Sequence, residues 1–299
     1  MNYQPYNLQD VYDAASQKKF KVVSTFAGGG GSSTGYRLAG ADILAVNEFV
    51  EEARVTYKEN YPDTPILPDD IKQLSGKDFL ELTGLKKGEL DILDGSPPCS
   101  AFSVAGKLSH SSDGKHSDGW GQTKSYSDGK IVENIEDLFF EFLRVAEEIS
   151  PKVIIAENVK GLTIGEAKEY YNRILNEFEN IGYEVVSEVM DSRYYGVSQT
   201  RTRVIFIAVR QDVADEVGLN FLTMNHLFPA PSRTAIPLKD VLVGLEYDNE
   251  EVERLTEKFE RTAYWKDTGS LMPTFPDKVL TGGDYHPKGH HFNLKRVSL

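Results

Sequence analysis

The residues best suited to chemistry begin at Phe26–Gly35, which reads FAGGGGSSTG and follows an apolar, β-rich run directly. Glycines there let the chain turn sharply and approach a ligand where a Cβ would clash. The helix expected next would offer unpaired N–H groups at its start. Sixteen residues after Gly31, Asn47 and Glu48 close the next apolar run, where an acid is placed to hydrogen-bond ribose hydroxyls. Asp69 or Asp70 could then reach an adenine amino group after a short third strand. A glycine loop alone is also what a tight turn looks like; the order strand, glycine loop, helix, strand, acid is what points to a nucleoside cofactor. The spacing does not fit G-x-x-x-x-G-K-[ST], which argues against a phosphate-cradling loop.

Three further segments follow. Asp94–Ser103 reads DGSPPCSAFS and contains Cys99, the sole cysteine, just past the carboxyl end of a predicted strand. Ligands bind at such strand ends in open α/β sheets. A lone cysteine is commonly a small buried hydrophobe, but a position on a proline-stiffened turn favours reactivity. Ala156–Leu162 reads AENVKGL, again at a strand end, and makes Glu157 a candidate acid beside that cysteine. Gln199–Arg203 reads QTRTR. In extended chain Gln199, Arg201 and Arg203 point the same way, either as a basic strand flank or as a polar fork aimed at carbonyl or phosphate oxygens.

Alternating elements must hold these segments. Strands are expected at Lys21–Phe26, Ile43–Asn47, Leu90–Asp94, Lys152–Asn158, Tyr183–Met190 and Arg203–Arg210. Helices are expected at Glu51–Asn60, Glu133–Ile149 and Glu166–Asn180. In the second helix Ile135, Leu138, Phe139, Phe142, Val145 and Ile149 recur at the spacing of a buried stripe. The pattern predicts an α/β fold with a doubly wound, mostly parallel sheet. The last two strands lack a full helix between them, which predicts an antiparallel pair at that edge. Of the 31 residues from Ser100 to Lys130, 13 are Gly or Ser, and loops of that length inside a compact domain are usually lids or disordered. Beyond Gln211 prolines cluster and the alternation is lost, which predicts a smaller second domain.

The 299 residues are 40% hydrophobic and 26% charged, which excludes collagen-like, fully disordered and disulfide-scaffold classes. No apolar run reaches the ~18 residues that span a membrane, and the N-terminus lacks a signal-peptide core. One cysteine forbids an internal disulfide and argues against a structural zinc site, so no metal is expected. The setting expected is a reducing cytosol. The net charge of −13 by itself points away from nucleic acid. It is unevenly spread, however: residues 246–260 carry a net −5 and residues 261–299 a net +3.

The four segments, in this order, resemble the cytosine-C5 DNA methyltransferase family. Its pattern is a Phe-x-Gly-x-Gly-Gly loop, a Pro-Cys turn, a Glu-Asn-Val strand end and a Gln-x-Arg-x-Arg segment, and the likeness covers about residues 20–210. The resemblance implies a Rossmann-like methyltransferase sheet with S-adenosylmethionine as cofactor. Phe26, Ala27, Gly28, Gly30, Gly31 and Pro98 would line the methionine side; Glu48 would hold the ribose, and Asp70 with Ile71 would flank adenine. It further implies a cytosine flipped out of double-stranded DNA and attacked by Cys99, with Glu157 near N3 and Arg203, backed by Arg201, on the base oxygen or on Glu157. Ser100, Phe102, Ser103, Asn158 and Gln199 would contact the substrate, and Ser100–Lys130 would close over the flipped base. In domains, this gives an N-terminal extension at 1–19, a catalytic domain at 20–210, an irregular target-recognition domain at 211–293 and a return segment at 294–299.

The chain departs from the family at Ser100, where many members have Gln, and at its end. Lys295–Leu299 (KRVSL) looks like the opening of the family's penultimate element, and its closing Gly-Asn-x-Val helix is not seen, even in the first twenty residues. A truncated chain, or one half of a split enzyme awaiting a C-terminal partner, is therefore expected, otherwise a monomer. The motifs leave open the same chemistry on tRNA, or a catalytically impaired DNA-binding relative. A nicotinamide-dependent dehydrogenase would leave SPPCS and QTRTR without a role.

Overall fold

The computed structural model describes residues 6–98, 124–125, 131–132, 137–165, 167–220, 222–232, 234–236 and 280–281. The strands are β1 (Phe20–Thr25), β2 (Ala41–Asn47), β3 (Ile66–Leu67), β4 (Ile92–Gly95), β5 (Val153–Val159), β6 (Tyr183–Asp191) and β7 (Thr202–Arg210). They form one seven-stranded sheet in the order β3-β2-β1-β4-β5-β7-β6. β1 pairs in parallel with β2 and β4, β2 with β3, and β4 with β5. β7 runs antiparallel to β5. The last two strands are neighbours at that edge, as expected, with β6 outermost and β7 between it and β5.

The helices are α1 (Leu8–Ala15), α2 (Gly31–Leu38), α3 (Glu51–Asn60), α4 (Gly76–Thr83), α5 (Leu138–Ile149), α6 (Ala167–Asn180) and α7 (Gln211–Val217). Successive residues of a strand point to opposite faces, and β1 shows the consequence. Val22 lies in a cluster with Val11 of α1 and Tyr57 of α3. Val23 lies in the larger cluster with Phe139 and Phe142 of α5, Phe178 of α6 and Phe206 of β7. Both faces of the sheet are therefore covered, as a doubly wound parallel sheet requires. The α5 stripe read from the sequence is its anchor, because Leu138, Phe139, Phe142, Val145 and Ile149 are all buried. Each such side chain contributes about 1.5–3 kcal/mol when fully buried.

Two glycines permit close approach. A Cβ on Gly95 would lie 2.5 Å from Phe142 Cε2 and 2.7 Å from Thr25 Oγ1. A Cβ on Gly76 would lie 2.4 Å from Glu148 Cβ. The first lets α5 press on the end of β4; the second seats α4 against α5.

The chain divides into two compact units. Tyr6–Val189 and Arg203–Pro229 form the unit that holds most of the sheet; Met190–Thr202 falls with Met1–Pro5 and Ala230–Leu299 in the other. Helix α1 belongs to the first unit and buries Val11 there. Gln211–Pro229 does too, with Ala214 of α7 fully buried. In the second unit Gln199–Thr200 pairs in parallel with Leu280–Thr281. Of the Gly/Ser-rich segment, Lys124–Ser125 is described, paired antiparallel with Ile131–Val132; the acidic stretch at 246–260 lies outside the described residues.

Candidate active site

The glycine loop sits at the carboxyl ends of β1 and β2. Phe26 has φ 52° and Gly28 and Gly30 have φ 56° and 95°, the left-handed region that favours glycine and that a phenylalanine enters only when its surroundings hold it there. Ala27 N–H donates to the Asn47 carbonyl at 3.1 Å, and Gly30 N–H to the Ala27 carbonyl at 3.1 Å. Glu48 is 7% exposed, and its carboxylate accepts from Gly28 N at 2.7 Å and from Val50 N at 2.7 Å. The acid expected for a ribose therefore also shapes the loop. The loop has one packed and one open side. A Cβ on Gly30 would touch Tyr57 and Tyr61 at 3.1 Å, whereas one on Gly28 or Gly31 would meet none of the described residues within 4 Å.

Asn47 extends the cradle to the next turn, its amide donating to the carbonyls of Leu67 at 3.0 Å and Asp69 at 2.9 Å. Asp70 caps the 3-10 turn Ile71–Gln73 by accepting from Lys72 N at 3.0 Å. Ile71 is 2% exposed and packs into the larger core cluster, so its side chain serves the core. Arg144 of α5, which the sequence reading missed, holds that turn from behind. Its guanidinium donates to the carbonyls of Ile71 at 3.1 Å and Leu74 at 2.7 Å while paired with Glu141 and Glu148.

The second half of the site gathers at the ends of β4 and β5. Arg203 Nε lies 2.8 Å from Glu157 Oε1, with both side chains part-exposed. Register explains the pair: Arg203 stands opposite Val159 and Ile205 opposite Glu157, so the two charges are diagonal neighbours on one face. Asn158 points away from them. It is 3% exposed, and its amide donates to the Pro97 carbonyl at 3.2 Å while its oxygen accepts from Val159 N at 2.8 Å. This side chain, expected at the substrate, braces the proline turn. Ser96 Oγ donates to the Phe26 carbonyl at 3.2 Å, which ties the same turn to the glycine loop. Pro98 is the last described residue before the cysteine.

Cys99, Ser100, Phe102 and Ser103 lie outside the described residues. Gln199 and Arg201 fall in the second compact unit and Arg203 in the first. Within the second unit, the Gln199 carbonyl accepts from Ser192 Oγ at 2.5 Å and the Arg201 carbonyl from Ser192 N at 3.1 Å. Asp94 was also missed as a polar element of the site. It is 8% exposed, and burial raises its pKa above the usual carboxylate range although three hydroxyls donate to it. Its position as a carboxylate inside the apolar run LDILD was the available signal. Among the described residues no group of three or more His, Cys, Asp or Glu could hold a metal ion. None of the described helices is long and apolar enough to cross a membrane.

Comparison with known proteins agrees with this layout. The family model for C-5 cytosine-specific DNA methylase matches residues 20–276. The Type II methyltransferase M.NgoPII of Neisseria gonorrhoeae is 31% identical over 230 residues, covering 76% of this chain and 57% of that protein. M.Eco47II of Escherichia coli is 31% identical over 265 residues, covering 84% and 55%. The chain thus spans somewhat more than half the length of these curated relatives. Among solved structures, a candidate DNA modification methyltransferase encoded within an Escherichia coli prophage has a TM-score of 0.58 at 23% identity, covering 77% of this chain and 56% of that chain. A DNMT2 mutant of Spodoptera frugiperda has a TM-score of 0.53 at 18% identity, covering 78% and 62%. At these identities the two structures carry the fold alone.

Proposed function

The chain belongs to the C-5 cytosine-specific DNA methylase family, and we propose on that premise that it methylates C5 of cytosine in double-stranded DNA with S-adenosylmethionine as the methyl donor. The observation that carries the reading is the convergence at adjoining strand ends. An open-sided glycine loop beside Glu48 is joined through Ser96 to the proline turn that leads to Cys99, and Asn158 joins that turn to β5, whose Glu157 pairs with Arg203 of the neighbouring β7.

The residues fit the donor. Gly28 and Gly31 leave room for a ligand on the open side of the loop. The start of α2 has no side-chain cap, so its N–H groups can take the methionine carboxylate. Glu48 would hold the ribose, with the turn at Asp70–Ile71 flanking the adenine. When bound, S-adenosylmethionine supplies an electrophilic methyl group on a sulfonium sulfur.

The chain's own residues supply the activation. Cytosine C5 is too weak a nucleophile to take a methyl group directly. Addition of the Cys99 thiolate at C6 moves electron density onto C5, which then behaves as an enamine carbon. That addition places negative charge on the ring, and Glu157 is the group assigned to deliver a proton or hydrogen bond at N3. Arg203 orients Glu157 through their 2.8 Å ion pair. After methylation, loss of the C5 proton to water, return of any N3 proton to Glu157 and expulsion of the Cys99 thiolate restore the aromatic ring. Ser100, Phe102, Ser103, Gln199 and Arg201 are assigned to substrate contact. Target recognition is assigned to the part of 211–293 outside the sheet-bearing unit.

The test is transfer of labelled methyl groups to duplex DNA and, in parallel, to tRNA, with bisulfite sequencing of DNA from cells that express the chain. Label at C5 of cytosine in duplex DNA is expected. Label in tRNA alone, or in neither polymer, would overturn the reading.

A further inference from the structure

Asp94 is a buried carboxylate that the chemistry above does not use. It is paired in register with Ser24, between β4 and β1, and it shares a strand face with Ile92, which packs against the α1–α3 cluster. An apolar side chain would be ordinary at such a position. Instead, Asp94 Oδ2 accepts from Ser24 Oγ at 2.6 Å and from Ser32 Oγ at 3.0 Å, while Oδ1 accepts from Tyr36 Oη at 3.1 Å. Ser24 lies two residues before Phe26, Ser32 is in the first turn of α2, and Tyr36 is one turn further on. One carboxylate therefore gathers β1 and the helix that opens from the glycine loop onto the strand that runs into Pro97 and Pro98.

The donors keep their protons. Burial first, and then Asp94 itself, push the Tyr36 hydroxyl well above its ordinary pKa. The charged group that acts on Asp94 is Glu157, whose like charge opposes ionisation. Hydrogen bonds are directional, and three hydroxyls from β1 and α2 converge on this one carboxyl group, so it fixes the angle of α2 to β4 in a way that apolar packing would not. On its far side, the same strand end is held through Pro97 by Asn158.

We propose that Asp94 is a positioning residue that couples the glycine loop to the Pro97–Pro98 turn, so that a ligand in the loop changes the reactivity of Cys99. The proposal rests on the cofactor reading given above. A ligand seated against Gly28 and Gly31 restrains the start of α2; Ser32 and Tyr36 pass that restraint to Asp94, and β4 passes it to the turn.

Because Cys99 is the sole cysteine, its alkylation by iodoacetamide can be followed by intact mass without any turnover. The rate is measured with and without saturating S-adenosylhomocysteine, and binding is measured separately by calorimetry. In the native protein the ligand is expected to change the rate about fivefold or more, the lower end of ordinary coupling between sites. In the Ser32→Ala/Tyr36→Phe variant, S-adenosylhomocysteine still binds and the ratio of rates collapses towards one. An unchanged ratio in that variant, or no change of rate in native protein that binds the ligand, would overturn the proposal. Failure of the native protein to bind would instead overturn the cofactor reading beneath it. If the double variant does not bind, Asp94→Asn, which keeps the shape and one acceptor oxygen, is read by the same criterion. Loss of binding in both variants would show that these hydrogen bonds serve the fold of the loop and not the coupling.

Discussion

Alanine at Gly31 and alanine at Gly30 are expected to move stability in opposite directions, although the two positions are adjacent. Gly31 opens α2 and has no positive φ, and a Cβ there meets none of the described residues within 4 Å. Replacement at such a position removes freedom from the unfolded chain and adds about 0.4–1 kcal/mol of stability. For a domain of this size that raises the melting temperature by about 1–3 °C. Gly30 has φ 95° and its Cβ would press on Tyr57 and Tyr61 at 3.1 Å. An L-residue held left-handed costs about 1–2 kcal/mol, and the crowded rings add to it, so the melting temperature falls by several degrees. Ligand binding does not follow stability. Under the proposed cofactor site the new methyl of Gly31→Ala occupies ligand space, and overpacking by one carbon costs about 1–3 kcal/mol, or about fivefold to 150-fold in affinity. Scanning calorimetry and titration with S-adenosylhomocysteine read both quantities. A Gly31→Ala protein that melts below the native one, or that binds S-adenosylhomocysteine as tightly, would refute the reasoning.

Other outcomes follow from the same geometry. Gly95→Ala drives a methyl into Phe142 at 2.5 Å and is expected to cost about 1–3 kcal/mol; Phe142→Leu in the same chain should recover part of that loss in urea melts. Arg203→Gln removes the 2.8 Å restraint on Glu157 and is expected to lower kcat by up to about a hundredfold, within the range of acid–base catalysis. Both side chains of that pair are part-exposed, so stability should change by less than about 1 kcal/mol. Asp91 is opposed by burial, but the Lys152 ammonium at 2.7 Å and Lys21 N–H at 2.8 Å outweigh it and hold its pKa below the usual carboxylate range. A depressed carboxylate stabilises the fold above its unfolded pKa and loses that contribution as pH falls through the folded value. Asp91→Asn should therefore cost about 1 kcal/mol at neutral pH, and the gap should close as pH drops below about 4.

Periodicity carried the sheet and its main helices because both faces are buried by regular stripes. Helix α3 matches its expected ends, Glu51 and Asn60, with Pro62 two residues beyond. Strand β4 was expected to end at Asp94 and runs to Gly95; the glycine reads as a turn, yet it belongs to the strand because it pairs with Thr25 and Ala156, and Phe142 leaves no room there for a side chain. Helices α1 and α4 were not anticipated, although each opens with a capping box, Asn7 with Asp10 and Ser75 with Asp78, a signal short sequences do carry. The insertion of β7 between β5 and β6 was not legible, since pairing partners far apart in the chain leave no local pattern. The same limit hid part of the site. Glu48 and the glycine loop could be read from motif order and strand ends, and the Arg203–Glu157 contact was one of two roles that the family resemblance implied for Arg203. Asn158 on Pro97, and Asp94 under α2, depend on β4 lying between β1 and β5, which only the assembled sheet determines.

The central claim is nucleophilic attack by Cys99 on a cytosine. Duplex DNA of mixed sequence carrying 5-fluorocytosine, incubated with the protein and S-adenosylmethionine, tests it most directly, because fluorine at C5 leaves no proton to remove and holds the adduct. The account predicts a covalent protein–DNA complex that survives denaturation, maps to Cys99 and is lost in Cys99→Ser. No complex with the native chain, or an undiminished one with Cys99→Ser, would contradict it.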